Sequence, residues 1–159
     1  MTSSKSSTSD CIEKEIWLDA PRSRVWRALT TAAEFGAWFG VELEGEFAPG
    51  QAIQGKVTHP EYRHVTWKIV VDRIEPERLF SWHWYPFAID ASADYSGETP
   101  TLVVFELEDV DGGTRLTLVE SGFDRVPAAR RAKAFEMNDM GWGLQMKAIE
   151  KHVGTASGT

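Results

Sequence analysis

The sequence predicts an α+β fold in which a curved antiparallel sheet of about six or seven strands, with two short helices after its first strand, wraps around one long C-terminal helix. Three observations carry this. Between residues 127 and 153, Phe135, Trp142, Met146, Ile149 and Val153 recur at steps of seven, four, three and four, the spacing of one buried helical stripe. Lys133, Glu136, Gln145, Lys147 and Glu150 fall opposite them. From residue 41 to residue 121 the chain instead alternates apolar and polar residues in short runs broken by turn-forming residues, as half-buried strands do. Consecutive strands with short turns are antiparallel, and only a long helix can cover the inner face of so large a sheet.

The elements follow in order. Residues 1–10, MTSSKSSTSD, have no apolar core and read as a disordered leader to one domain spanning 11–154, with 155–159 as a tail. Cys11 to Leu18 alternate, with Ile12, Ile16 and Leu18 on one face and Glu13, Glu15 and Trp17 on the other. Asp19-Ala20-Pro21 then starts a helix with Val25, Trp26 and Leu29 as its apolar side, since proline is preorganised for a first turn and aspartate accepts from free N–H groups. Thr31 and Glu34 match a capping box ahead of Phe35, Trp38 and Phe39, a second helix kept short by Gly36 and Gly40.

Strands follow at Leu43–Phe47 and Gln51–His59, separated by the turn residues Ala48-Pro49-Gly50. Val65, Trp67, Ile69 and Val71 alternate in the next strand, but Ile74 is out of register, which places a bulge near Asp72-Arg73. Phe80, Trp82 and Trp84 make one face of the following strand aromatic, leaving His83 on the other. Residues 86–100 show no period and read as a long connection, the kind that often carries function. Val103, Phe105 and Leu107 form the next strand, residues 109–113 (DVDGG) turn it, and Leu116, Leu118 and Glu120 share one face of the last. Pro127 suits the first turn of the long helix and Gly154 a left-handed stop, giving about 25 residues and roughly 38 Å.

The bulk properties exclude several function classes. A chain of 159 residues fits one domain. Its formal net charge of −7, and a basic run from Arg125 to Lys133 that is interrupted, exclude a nucleic-acid backbone as partner. No stretch approaches the roughly 20 apolar residues of a membrane span, and the leader is not a secretory signal. The single cysteine, Cys11, cannot form an intrachain disulfide, which agrees with an expected cytoplasmic location. His59, His64, His83 and His152 lack metal-ligand spacing, and there is no phosphate loop or nucleophile elbow, so neither metal nor cofactor is expected.

Four stretches, DAPRSRVWRALTTAAEFGAWFG, IEPERLFSW, GTRLTLVESGF and GWGLQMKAIEKHV, occur in an order that resembles the START-like superfamily with its helix-grip fold. Within it the chain is similar to the small bacterial proteins named after the C-terminal domain of the heat-shock-protein-90 ATPase activator. The resemblance implies a cavity between sheet and terminal helix. It also implies the lining: Trp38 and Phe39 from the helical pair, Trp67, Phe80, Trp82 and Trp84 from the central strands, Phe105, Leu116 and Leu118 from the last hairpin, and Trp142 and Met146 from the long helix. Aromatic rings and adaptable methionine suit an apolar or aromatic ligand. Equally, these residues could pack on each other and leave no space.

Among polar residues Glu120 stands out, because a carboxylate on the inward face must be hydrogen-bonded, paired or protonated. It is a candidate for orienting a ligand, unless the strand emerges to solvent there. Arg130 and Arg131, at the entry to the long helix, could pair with acidic residues or with an anionic ligand, but simple solvation is the first reading. Three functions remain open: noncatalytic binding of a small hydrophobic molecule, which needs only the cavity; a cyclase-like or hydratase-like enzyme using Glu120 and Tyr95; and a co-chaperone-like interaction module. The first leads, since few polar groups converge and a chaperone partner rests on the family name alone. Strand edges and Trp17 could support a homodimer.

Overall fold

Residues 10–90 and 92–156 are described by the computed structural model. The expected leader, apart from Asp10, and the last three residues of the tail lie outside them. Strand β1 (Cys11–Leu18) is followed by helices α1 (Arg22–Thr30) and α2 (Ala32–Phe39). The chain then runs through β2 (Val41–Glu44), β3 (Ala52–Val57), β4 (Thr66–Glu75), β5 (Leu79–Trp84), β6 (Thr101–Val110) and β7 (Gly113–Ser121) to helix α3 (Ala128–Ala156). The seven strands form one sheet in the order β1-β7-β6-β5-β4-β3-β2, every neighbouring pair antiparallel. After β1 the helical pair carries the chain to the far edge, and the meander returns until β7 pairs with β1, Cys11 opposite Ser121 and Leu18 opposite Thr114. This is the expected α+β helix-grip architecture.

Local sequence explains most boundaries. The register of β4 on β5 shifts between Val71 and Arg73, where the bulge was expected. The Ser81 hydroxyl donates to Asp72 (3.0 Å) and accepts from the Arg73 N–H (3.1 Å), so the displaced backbone keeps a partner. Strand β2 starts two residues earlier than expected and ends before Phe47, because Phe47 leaves the sheet to pack edge-on against Phe35 and Phe80. Gly40 closes α2 in the left-handed region, at φ 95°. Gly36, inside α2, meets a different demand: a Cβ there would lie 2.2 Å from the Val41 carbonyl oxygen.

Four expectations are corrected. Pro21 is the N-cap of α1 rather than its first residue, and no side chain caps that end, so Asp19 has no capping role. Thr31 makes no capping hydrogen bond either, and the Glu34 side chain, instead of reaching back to residue 31, pairs with arginines of α1. Helix α3 has 29 residues and runs through Gly154 to Ala156, since glycine is tolerated in a frayed last turn. The sheet is covered by α3 and also by the helical pair: the Phe35 ring of α2 sits 5.6 Å from Trp67 and 5.7 Å from Trp82, both on the sheet. Trp38 is locked beside it by an indole hydrogen bond to the Ala28 carbonyl (2.8 Å). Aromatic volume on a short helix thus fills the part of the curl expected to be open.

Candidate functional site

At the middle of α3 the helix passes over the end of β7, where Glu120 points inward and is fully buried. Its Oε1 accepts from the Trp142 indole N–H (2.8 Å) and the Asn138 amide (2.9 Å). Its Oε2 accepts from the Trp84 indole (2.8 Å) and the Thr101 hydroxyl (2.5 Å). Four donors from β5, β6 and α3 therefore converge on one carboxyl, and each of the two indoles, having one N–H, gives it to this acceptor. Burial pushes this carboxyl above its ordinary value, against the opposing pull of hydrogen bonds from Thr101, Trp142, Trp84 and Asn138. Its oxygens are occupied, and Glu120 does not border the neighbouring pocket.

On the other side of Trp84 and Asn138 lies an open pocket of about 570 Å³. Phe39 of α2, Trp67 of β4 and Trp84 of β5 give it aromatic walls, and α3 contributes Asn138, Gly141 and Gln145. A side cleft of about 100 Å³ continues from it to Trp142. Nothing lies within 4 Å of where a Cβ on Gly141 would project, so the helix is bare there. At the rim Met140 and Leu144 are 55% and 68% exposed, which is unusual for large apolar side chains on a helix that otherwise buries its stripe.

Of the residues expected to line a cavity, the structure brings Phe39, Trp67, Trp84 and Trp142 to this pocket and its cleft. Trp38, Phe80, Trp82, Phe105, Leu116, Leu118 and Met146 are buried among one another in the core and do not border it. The centre of the sheet is filled, and the space opens at one end. Gln145 is corrected as well: it is not on the solvated face but donates from Nε2 to the Phe39 carbonyl (2.9 Å) across the pocket floor. Asn138 was missed. The signal was present, because residue 138 falls on the apolar stripe three positions after Phe135 and four before Trp142, where a polar residue needs a buried partner.

The irregular segment after β5 supplies the remaining wall through Phe87, Ala88 and Ile89. Arg130, expected to be solvated, holds it. Its guanidinium pairs with Glu98 (2.6 Å), donates to the Pro86 carbonyl (2.7 Å) and lies 4.7 Å over the Tyr95 ring. Arg131 donates to the Val126 carbonyl (2.9 Å), closing the turn before α3. Tyr95 stacks on Tyr85 and accepts from the Asp90 N–H, so it supports the segment, and it is not among the hydrogen-bond partners of Glu120. His64 reaches the Ile89 carbonyl (3.1 Å), a further tie on the same wall.

A second polar cluster joins α1, α2 and the end of α3. Glu34 accepts from Arg24 (2.7 Å), Arg27 (2.7 Å) and His152 (3.0 Å). Partial burial pushes its carboxyl up, but the hydrogen bonds from His152, Arg24 and Arg27 outweigh this and bring it down to about 2. Among the described residues no group of three or more His, Cys, Asp or Glu could hold a metal ion, and no helix is long and apolar enough to cross a membrane.

Comparison with known proteins agrees with this geometry. The chain superposes on protein NE0264 from Nitrosomonas europaea with a TM-score of 0.74 at 19% identity, covering 95% of this chain and 98% of that one. Protein MLL2253 from Mesorhizobium loti gives 0.71 at 23% identity, with 91% and 97% covered. An Aha1 from Colwellia psychrerythraea, solved as a dimer in solution, gives 0.68 at 16% identity, with 90% and 95% covered. At these identities the likeness establishes the fold alone. No curated protein matches the chain in sequence. A family model does, over residues 19–154, from the turn after β1 almost to the end of α3. The helical pair, the meander with the buried Glu120 on its last strand and nearly all of the terminal helix fall inside that match, and the chain belongs to the family of activator of Hsp90 ATPase homolog 1-like proteins.

Proposed function

We propose that this protein binds a small, mainly apolar aromatic molecule in the pocket between α3, the end of α2 and strands β4 and β5, without transforming it. The observation that carries this is the pocket itself: about 570 Å³, within the range of small-molecule sites, with six aromatic side chains on its walls, Phe39, Tyr62, Trp67, Trp84, Tyr85 and Phe87. An enzyme would need titratable groups acting together on the ligand; His59, Tyr62, Lys68 and Tyr85 line the pocket, but among the described residues no hydrogen bond joins any two of them. The one buried carboxylate lies behind Trp84 and Asn138 with its oxygens already engaged, and Tyr95 is held in the segment beyond β5. Binding is therefore the better-supported reading.

The test is tryptophan emission together with thermal unfolding across a panel of two- and three-ring aromatics. Trp67 and Trp84 border the pocket, so occupancy changes emission, and a ligand at 100 times its Kd adds about 2.7 kcal/mol of stability. Gly141→Leu places a side chain in the pocket while replacing a poor helix former by a good one, so it abolishes binding in a protein at least as stable. No response from any member of the panel, or undiminished binding in Gly141→Leu, overturns the proposal.

A further inference from the structure

Two side-chain amides face the pocket from the same side of α3, Asn138 and Gln145, seven residues and therefore two helical turns apart. Each has its NH₂ engaged by the protein. Asn138 must turn Nδ2 toward Glu120, because a carboxylate only accepts, and it lies 2.9 Å from Oε1 and 3.2 Å from Oε2. Gln145 must turn Nε2 toward the Phe39 carbonyl, which also only accepts. Among the described residues neither Asn138 Oδ1 nor Gln145 Oε1 receives a hydrogen bond, and neither is sealed from solvent. Both carbonyl oxygens are fixed acceptors on the α3 wall, whose other side chains at the pocket, Met137, Met140 and Leu144, are apolar; the hydroxyls of Thr58, Tyr62, Thr66 and Tyr85 belong to other walls. Lys68, at the rim, is exposed, and the exposed His59 is engaged elsewhere, its Nδ1 accepting from the Glu61 N–H (3.2 Å) and its ring packing on Tyr62.

From this we infer that the pocket selects aromatic molecules bearing hydroxyl groups, with Asn138 and Gln145 as the residues that determine specificity. The inference rests on the pocket reading above and adds the ligand's polarity to it. A hydroxyl donates to a waiting amide oxygen, whereas an ether or a bare C–H at the same place strips water from that oxygen and returns nothing. Glu120 enters as a positioning residue: it holds the Asn138 amide in one orientation and never meets the ligand. The two-turn spacing, about 10 Å along the helix axis, suits a molecule with hydroxyls toward both ends.

The probes are benzophenone, 4-hydroxybenzophenone and 4-methoxybenzophenone, titrated against the intact protein by tryptophan emission and by calorimetry. The expected result is a Kd for the hydroxyl compound about tenfold below that of the other two, one net hydrogen bond's worth. Gln145→Met or Asn138→Leu should bring the three constants together. Gln145 is partly exposed, so its variant folds even where Asn138→Leu, which deprives Glu120 of a donor, does not. Equal affinity for all three probes in the wild type overturns the inference and leaves the pocket reading standing. A hydroxyl preference that survives both substitutions overturns the assignment to these amides. Binding of none of the three overturns the pocket reading and the inference with it.

Discussion

Replacing Glu120 by glutamine changes one atom and keeps the shape, yet it should be among the costlier single substitutions in this chain. The carboxyl serves four donors, and an amide can serve only those facing its oxygen. If the NH₂ takes the Oε2 position, Thr101 can adapt by accepting from it and donating to the Trp84 carbonyl, 3.4 Å away. The Trp84 indole cannot adapt, having a donor and no acceptor. If the NH₂ takes the Oε1 position, Trp142 is stranded in the same way. Either way one buried indole N–H loses its acceptor, a cost of about 1–3 kcal/mol. The dependence on pH is the distinguishing mark. Because the folded-state value of Glu120 lies above 4.5, the folded protein binds a proton there more tightly than the unfolded chain. That contribution is fully present below pH 4.5 and is lost as pH rises toward the folded-state value. Glu120→Gln lacks it. Urea unfolding of both proteins between pH 4.5 and pH 8 should therefore show a gap of about 2 kcal/mol that widens toward the acidic end. A gap that is absent, or constant across this range, refutes the account of Glu120 as a buried carboxyl held against its desolvation.

Other expectations are simpler. Arg130→Ala releases Glu98 and the Pro86 carbonyl, so it should cost about 1–2 kcal/mol and speed proteolytic cutting between residues 86 and 100, while weakening any ligand of the pocket. Gly36→Ala drives a methyl group against the Val41 carbonyl and should lower stability by about 1–3 kcal/mol in urea unfolding. Glu34, held down to about 2, stabilises the fold above its ordinary value of 4.5 and ceases to do so as pH falls toward 2. Glu34→Gln should accordingly cost about 1–2 kcal/mol at pH 7, and the difference from wild type should close in acid unfolding as pH approaches 2.

The period of the strands, the bulge beside Asp72 and the stripe of α3 could be read from sequence because each is a local consequence of side-chain alternation. The inward face of Glu120 was legible for the same reason. What Glu120 binds was not: Trp84, Thr101, Asn138 and Trp142 reach it from three elements, and alternation along one strand cannot register its partners on the others. The position of the pocket was hidden by volume. Phe35 and Trp38 lie on a helix of eight residues, and only the packing shows that they fill the curl and shift the free space toward Phe39 and Trp84. Arg130 was hidden by its neighbours, a basic run in which one guanidinium has three partners and the next closes a turn.

The pairing of β1 with β7 also bears on how this chain is made. Among the described residues β1 has one sheet neighbour, β7, which follows it by about a hundred residues. Until β7 appears, Ile12 and Leu18, which the finished protein hides completely or almost so, have nothing in the sheet to cover them. The meander from β2 to β6 can zip as it emerges, each strand on the one before, while β1 waits. Docking of β1 is then the last step of sheet assembly, and a nascent chain stalled before residue 113 presents a sticky N-terminal strand to whatever chaperone or aggregate is nearby.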